Sequence, residues 1–213
     1  MGSLKPNKQR AKNAIILIWI VFALEIASFI SNYFEYDLLL KISAENMPDT
    51  LDIDVNDSRQ STLALLYSIA FIISAITFIM WFRRAYYNLH QRTRYLSYSE
   101  GWAAGSWFVP ILNLFRPYQI MRELYVETRK LISKNAASID FTTSLLWLWW
   151  TLWIINNIIG QFIFRYDVES TDEFITFSVA NMLDNIVGII LAPITVKVIK
   201  DYSNVEPLLM NEN

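Results

Sequence analysis

The sequence predicts an all-α integral membrane protein with four transmembrane helices, a cytoplasmic re-entrant or interfacial hairpin, and an amphipathic helix. Three observations carry this. The 213 residues are 54% hydrophobic and only 18% charged, too apolar for an ordinary soluble domain. The apolar residues gather in blocks of about 20, the length that crosses roughly 30 Å of hydrocarbon, instead of recurring every three or four positions. Charge also alternates in sign from one connecting segment to the next.

Taken in order, residues 1–13 form a basic tail with Lys5, Lys8, Arg10 and Lys12 and no acid. A membrane domain is expected over 14–200, with spans at about 14–34, 62–82, 144–164 and 174–196, and 201–213 form a C-terminal tail. The first block is too long for the apolar core of a signal peptide and no small-residue cleavage site follows it, so it is expected to stay in the mature protein. Between the first two spans, residues 35–60 carry seven acids against two bases and read as a solvated acidic outer loop. Residues 83–143 hold nine Lys or Arg against four acids, whereas 165–173 hold Arg165 against Asp167, Glu169, Asp172 and Glu173. Lys197 and Lys200 follow the last span. The positive-inside rule then places both termini and the 83–143 segment in the cytoplasm.

The stretch "EGWAAGSWFVPILNLFRPYQIMREL", Glu100 to Leu124, is apolar enough for a membrane, yet basic residues flank it on both sides and Pro110 and Pro117 interrupt it. Both ends therefore belong on one side. Each proline removes a backbone donor and disfavours helix just before it, which is costly for backbone facing lipid. A shallow or re-entrant hairpin fits, with Gly101, Pro110 and Pro117 as its structural residues. Beyond Pro117, one helical face collects Met121, Leu124, Tyr125, Thr128, Leu131 and Ile132, while Arg122, Glu127, Arg129, Lys130 and Lys134 lie elsewhere. This is the pattern of an amphipathic interfacial helix near anionic lipid, or of a helix packed on protein. Hairpin and helix together cover 100–134.

The run "WFRRAYYNLH" at the end of the second span, followed by "GWAAGSWFVPILNLFRPYQIMREL", resembles the bacterial membrane family catalogued as domain of unknown function 4328. The matching residues are Trp81, Arg83, Asn88, Gly101, Trp102, Trp107, Pro110, Asn113, Pro117 and Glu123, with similarity expected from the first span onward. The resemblance implies a small multi-pass protein of the bacterial inner membrane. It implies no activity, because the family as a whole has none established.

With the loop charges assigned, two acids remain inside spans: Glu25 in the first and Asp184 in the fourth. A carboxylate there must face the bundle, be protonated or find partners. Asn156 and Asn157 lie at similar depth in the third span, and Asn181 and Asn185 lie within a helical turn of Asp184, so an intramembrane polar layer is expected. Ser178, Asn181, Asn185, Gly188, Ala192 and Thr195 recur every three or four residues as a small, polar stripe that suits close helix packing. A proton or cation site on Glu25 and Asp184 is the alternative. On the cytoplasmic side Arg83, Asn88, Asn113 and Glu123 form a candidate polar cluster, able to fix the hairpin or hold a lipid headgroup through arginine's two-point donation to phosphate.

Other signals exclude chemistry. Without cysteine there are no disulfides, thiolate metal sites or cysteine nucleophiles. His90 is the single histidine, so no multi-histidine site forms. Asp52, Asp54 and Asn56 begin like a calcium loop, but Asp57 stands where glycine is needed and Leu63 where glutamate is. Phosphate-loop, nucleophile-elbow and zincin motifs do not occur. Trp147, Trp149, Trp150 and Trp153 read as an aromatic belt at one end of the third span. The expectation is a non-catalytic interaction or regulatory component without cofactor or metal. Its partners are the lipid bilayer, including anionic lipid, and a second copy or another membrane protein, with no nucleic acid. A small transporter or oligomeric channel using the intramembrane acids is the rival. A lipid-headgroup-binding protein or enzyme is the third reading.

Overall fold

The computed structural model describes residues 3–45, 48–133 and 142–211. Six α-helices account for most of them: α1 (Lys8–Ser43), α2 (Thr50–His90), α3 (Trp102–Gly105), α4 (Arg116–Ile132), α5 (Ser144–Arg165) and α6 (Thr171–Val205). Short 3-10 turns cover Leu112–Leu114 and Glu206–Asn211. The described residues contain no strand, as the expected fold class requires.

Three helical runs, Lys8–Ser43, Thr50–His90 and Thr171–Leu209, are long and apolar enough to cross a membrane. At 1.5 Å per residue, α1 with 36 residues and α2 with 41 reach about 54 and 62 Å, well beyond the roughly 30 Å of a hydrocarbon core. The surplus length comes from residues expected to be loop. Segment 35–60 is helical on both sides of a short connection, and the acidic run from Asp52 to Asp57 forms the first turns of α2. Asp52 in that first turn suits the positive end of the helix dipole. The third block folds as the 22-residue α5, which carries Asn156, Asn157 and Gln161 and is not one of these three runs.

The chain folds as two compact units. One comprises Met1–Ile18, Ile73–Thr151 and Ile194–Asn213; the other comprises Trp19–Ile72 and Leu152–Pro193.

The first unit is held by aromatic rings. Phe78 lies 5.6 Å from both Trp81 and Trp107 and 6.2 Å from Trp149, with Tyr202 6.1 Å from Trp81. Rings of this size dominate the burial energy of a core, and their N–H groups need acceptors when buried. Trp81 Nε1 donates to Ser203 Oγ (3.2 Å), Trp149 Nε1 to Thr195 Oγ1 (3.1 Å) and Trp150 Nε1 to the Leu114 carbonyl (2.9 Å). The expected tryptophan belt is thus divided, with Trp149 and Trp150 in the core and Trp147 exposed.

Helix α4 packs into the same unit. Its expected apolar face is the one that is covered: Ile120, Met121, Leu124, Tyr125, Thr128 and Ile132 are buried, while Arg122, Arg129 and Lys130 are exposed. The face therefore meets protein. Tyr125 donates to the Val198 carbonyl at 2.6 Å, and burial raises its hydroxyl well above the ordinary tyrosine value. Lys134, expected at the end of this helix, lies outside the described residues.

Candidate functional site

Two groups of polar side chains stand out, one in each unit.

In the second unit the centre is Glu25, 2% exposed. Tyr67 Oη donates to its Oε1 (2.6 Å) and Asn185 Nδ2 to its Oε2 (2.7 Å). The amides continue in one direction: Gln60 Nε2 donates to Asn32 Oδ1 (3.2 Å), and Asn32 Nδ2 donates to Asn185 Oδ1 (2.9 Å). The chain Gln60, Asn32, Asn185, Glu25 crosses α1, α2 and α6 and ends on a carboxylate with both oxygens occupied. Gly188, one turn beyond Asn185, brings the α6 backbone against that carboxylate, and the nearest atoms to a side chain added there are those of Glu25. Glycine is needed here for close approach, since its helical φ is ordinary.

Asp184 lies within electrostatic reach of Glu25 but shares no hydrogen bond with it. It accepts from Asn156 Nδ2 at 2.7 Å, whereas Glu25 bonds Asn185. Neighbouring residues on a helix point about 100° apart, which is why Asp184 and Asn185 serve different partners. The other expected members of the polar layer do not join: Asn181 donates to its own Phe177 carbonyl (2.9 Å) and Asn157 to its own Trp153 carbonyl (2.8 Å). Ser178, in the small stripe, donates to Glu35 Oε2 at 3.0 Å. Tyr67, Asn32, Gln60 and the contact role of Gly188 were not legible as a site, although all four lie within apolar or flanking helical runs where a polar or missing side chain invites the question.

The first unit contains the expected cytoplasmic cluster, but its four members are not assembled. Arg83 pairs with Glu100 (3.1 Å), with its side chain 57% exposed. Glu123 accepts from Tyr86 Oη (2.5 Å) and from the Ser97 backbone N–H (2.7 Å). Asn88 turns elsewhere: Lys5 N–H donates to its Oδ1 and its Nδ2 donates to the Lys5 carbonyl, both at 2.9 Å. Asn113 keeps a backbone bond to the Val109 carbonyl. The reason is helical phase, because Arg83 and Asn88 are five residues apart, about 140° around α2.

Asn88 belongs to a different, buried site. Its Nδ2 also donates to Glu206 Oε1 (2.7 Å), and Asn7 Nδ2 donates to both Glu206 oxygens at 3.2 and 3.0 Å. Arg92 Nε adds a 2.6 Å bond to the Leu209 carbonyl. Segments around residues 5, 88 and 206 are thereby pinned together. Glu206, 7% exposed, was missed because it follows the last span in what reads as a polar tail.

The hairpin presents the remaining feature. Leu112 N–H bonds the Pro110 carbonyl (2.8 Å) across Ile111, whose φ of 67° and ψ of −49° make a γ-turn of the rare positive-φ kind. A β-branched residue is strained there. Phe108 is 75% and Ile111 73% exposed, and Val109, Leu114 and Phe115 are exposed beside them, while Ala103 and Ser106 are buried. Pro117 sits in the first turn of α4, where its missing N–H costs nothing. Gly101 has an ordinary helical φ with open space around it, so nothing in the structure demands glycine there. Arg116 stacks over the Tyr98 ring at 4.6 Å and the Trp102 ring at 5.8 Å.

No group of metal-ligating side chains occurs among the described residues. No curated protein and no solved structure matches the chain. One family model does, described as "Domain of unknown function (DUF4328)", over residues 45–204. The match starts after α1, later than the sequence led us to expect, and it takes in α2 and the hairpin with every residue of the quoted pattern. It spans about three quarters of the chain, which belongs to this family of unknown function.

Proposed function

We propose that the protein is a non-catalytic, four-span component of the bacterial inner membrane that acts by contact, through a hairpin seated in the cytoplasmic leaflet. The observation that carries this is the hairpin tip, where a strained γ-turn presents Phe108, Val109, Ile111, Leu114 and Phe115 outward instead of burying them. A backbone outlier that exposes large apolar side chains is a reason to look for a surface that receives them, and acyl chains beside a basic segment are such a surface. The charge pattern supports both termini and segment 83–143 facing the cytoplasm, which requires α5 to cross as the third of four spans; its 22 residues reach about 33 Å.

The network around Glu25 favours this reading over transport. Both carboxylate oxygens are satisfied by fixed donors and the group is pressed onto α6, an arrangement that holds helices in register.

The test places an environment-sensitive dye on a Phe108→Cys variant in liposomes, with the chain otherwise free of cysteine. Blue-shifted emission quenched by brominated acyl chains is expected; a water-like spectrum overturns the proposal. The transport rival predicts a pH-driven flux that Glu25→Gln abolishes while the protein stays folded.

A further inference from the structure

We infer that the exposed face of α5 carrying Asn157, Gly160 and Gln161 is where a second copy of this chain docks within the bilayer, amide to amide. The inference rests on α5 crossing the membrane, as proposed above.

The midpoint of α5 lies between Ile154 and Ile155, so Asn157 sits about 4 Å and Gln161 about 10 Å along the axis from the centre of a spanning helix. Both depths are within the hydrocarbon, out of reach of headgroups. Both residues are exposed. The two neighbouring asparagines have divided their tasks: Asn156 turns inward to Asp184, while Asn157 bonds only its own Trp153 carbonyl, which leaves its second N–H and its Oδ1 unused among the described residues. Gln161 has no hydrogen-bond partner among them. Amide groups left facing acyl chains are unfavourable, because lipid supplies no donor or acceptor.

Gly160 lies between the two on the same side of the helix, and a side chain added there meets nothing within 4 Å. The absent side chain is therefore a notch, and a glycine between interfacial amides is what lets two helix backbones approach closely. The occupant follows from the chemistry of the amide. Each carries both donors and an acceptor, so two copies related by a twofold axis offer each other matching groups, whereas an acyl chain offers none.

The chain lacks cysteine, so single-cysteine variants report without background. In liposomes at high lipid excess, Phe164→Cys, 85% exposed and two turns from Asn157 on the same face, is expected to form a disulfide-linked dimer with the Gly160 notch intact. Ile155→Cys, on the opposite side of the helix, is the control and should not. Adding Asn157→Leu and Gln161→Leu to Phe164→Cys should lower the cross-linked fraction about tenfold, as expected for losing two interhelical amide bonds. The same two cysteine variants are treated with a membrane-impermeant maleimide. Shielded cysteines without a cross-link overturn this inference alone, and so does equal cross-linking at 155 and 164 or a dimer indifferent to the leucine pair. Full labelling at both positions shows that α5 does not cross, which overturns the four-span proposal and this inference with it.

Discussion

Gly188 of α6 lies against the carboxylate of Glu25 in α1, in a space that a methyl group cannot share. Gly188→Ala thus sets two effects against each other. Alanine gains about 1 kcal/mol of helix propensity, while displacing the carboxylate from its two donors costs roughly 1–3 kcal/mol of overpacking and lost bonds. Net destabilisation is expected, and a Glu25→Ala background should turn it into stabilisation. Thermal unfolding of the four proteins of this cycle checks it; a single variant as stable as the parent would contradict the close contact.

Removing the acceptor should hurt more than removing the charge. Glu25→Leu leaves the Tyr67 hydroxyl and the Asn185 amide with no acceptor, an expected loss of about 2–4 kcal/mol. Glu25→Gln keeps an oxygen for one donor and should cost about 1 kcal/mol. Chemical denaturation in mixed micelles gives the ranking, and equal losses would show that charge, not acceptance, is what the network needs.

At the hairpin, Ile111→Gly separates strain from membrane contact. Glycine relieves the positive φ, and because Ile111 is 73% exposed little burial is lost, so a gain of about 1 kcal/mol in stability is expected. Dye at position 108 should meanwhile report shallower insertion. A variant that loses stability would place the side chain in a contact essential to the fold.

Glu206→Ala should free the segment after α6 without unfolding the helices. It takes the carboxylate acceptor from the Asn7 and Asn88 amides, which keep the Trp81 and Lys5 carbonyls, and hydrogen exchange should rise first near residues 5–7 and 206–209. Exchange rising uniformly along the chain would mean that the pin supports the whole first unit.

The side from which the connections are reached is also testable. With no native cysteine, Ser3→Cys and Glu169→Cys are expected to react from opposite faces of sealed vesicles. Labelling from one face would leave α5 on the membrane surface.

Composition made the helices legible, because blocks of about 20 apolar residues can do little else. It did not reveal their length: the acids of 35–60 looked like a solvated loop, yet acids are compatible with the exposed turns of helices that outrun the bilayer. The polar residues around Glu25 share a spacing that does not by itself mark a site. Glu25 and Asn32, Gln60 and Tyr67, and Ser178 and Asn185 are each seven residues apart, two turns on one face, and all six take part in bonds linking these helices. The cytoplasmic cluster failed for the converse reason. Arg83, Asn88, Asn113 and Glu123 were grouped by a shared pattern, and phase around α2 sends the first two to different neighbours. Glu206 bonds residues 118 and 199 positions away, a separation that no local pattern encodes.

That separation gives the fold an order in time. During synthesis at roughly 5–20 residues per second, the Asn7 side chain emerges about 10–40 s before the carboxylate it will hold. Throughout that interval Asn7 lacks the Glu206 carboxylate, and so does Asn88 once it has been made. Closure at Glu206 therefore comes late: chains stalled or cut before it would carry the apolar helices without the latch that joins the segments around residues 5, 88 and 206.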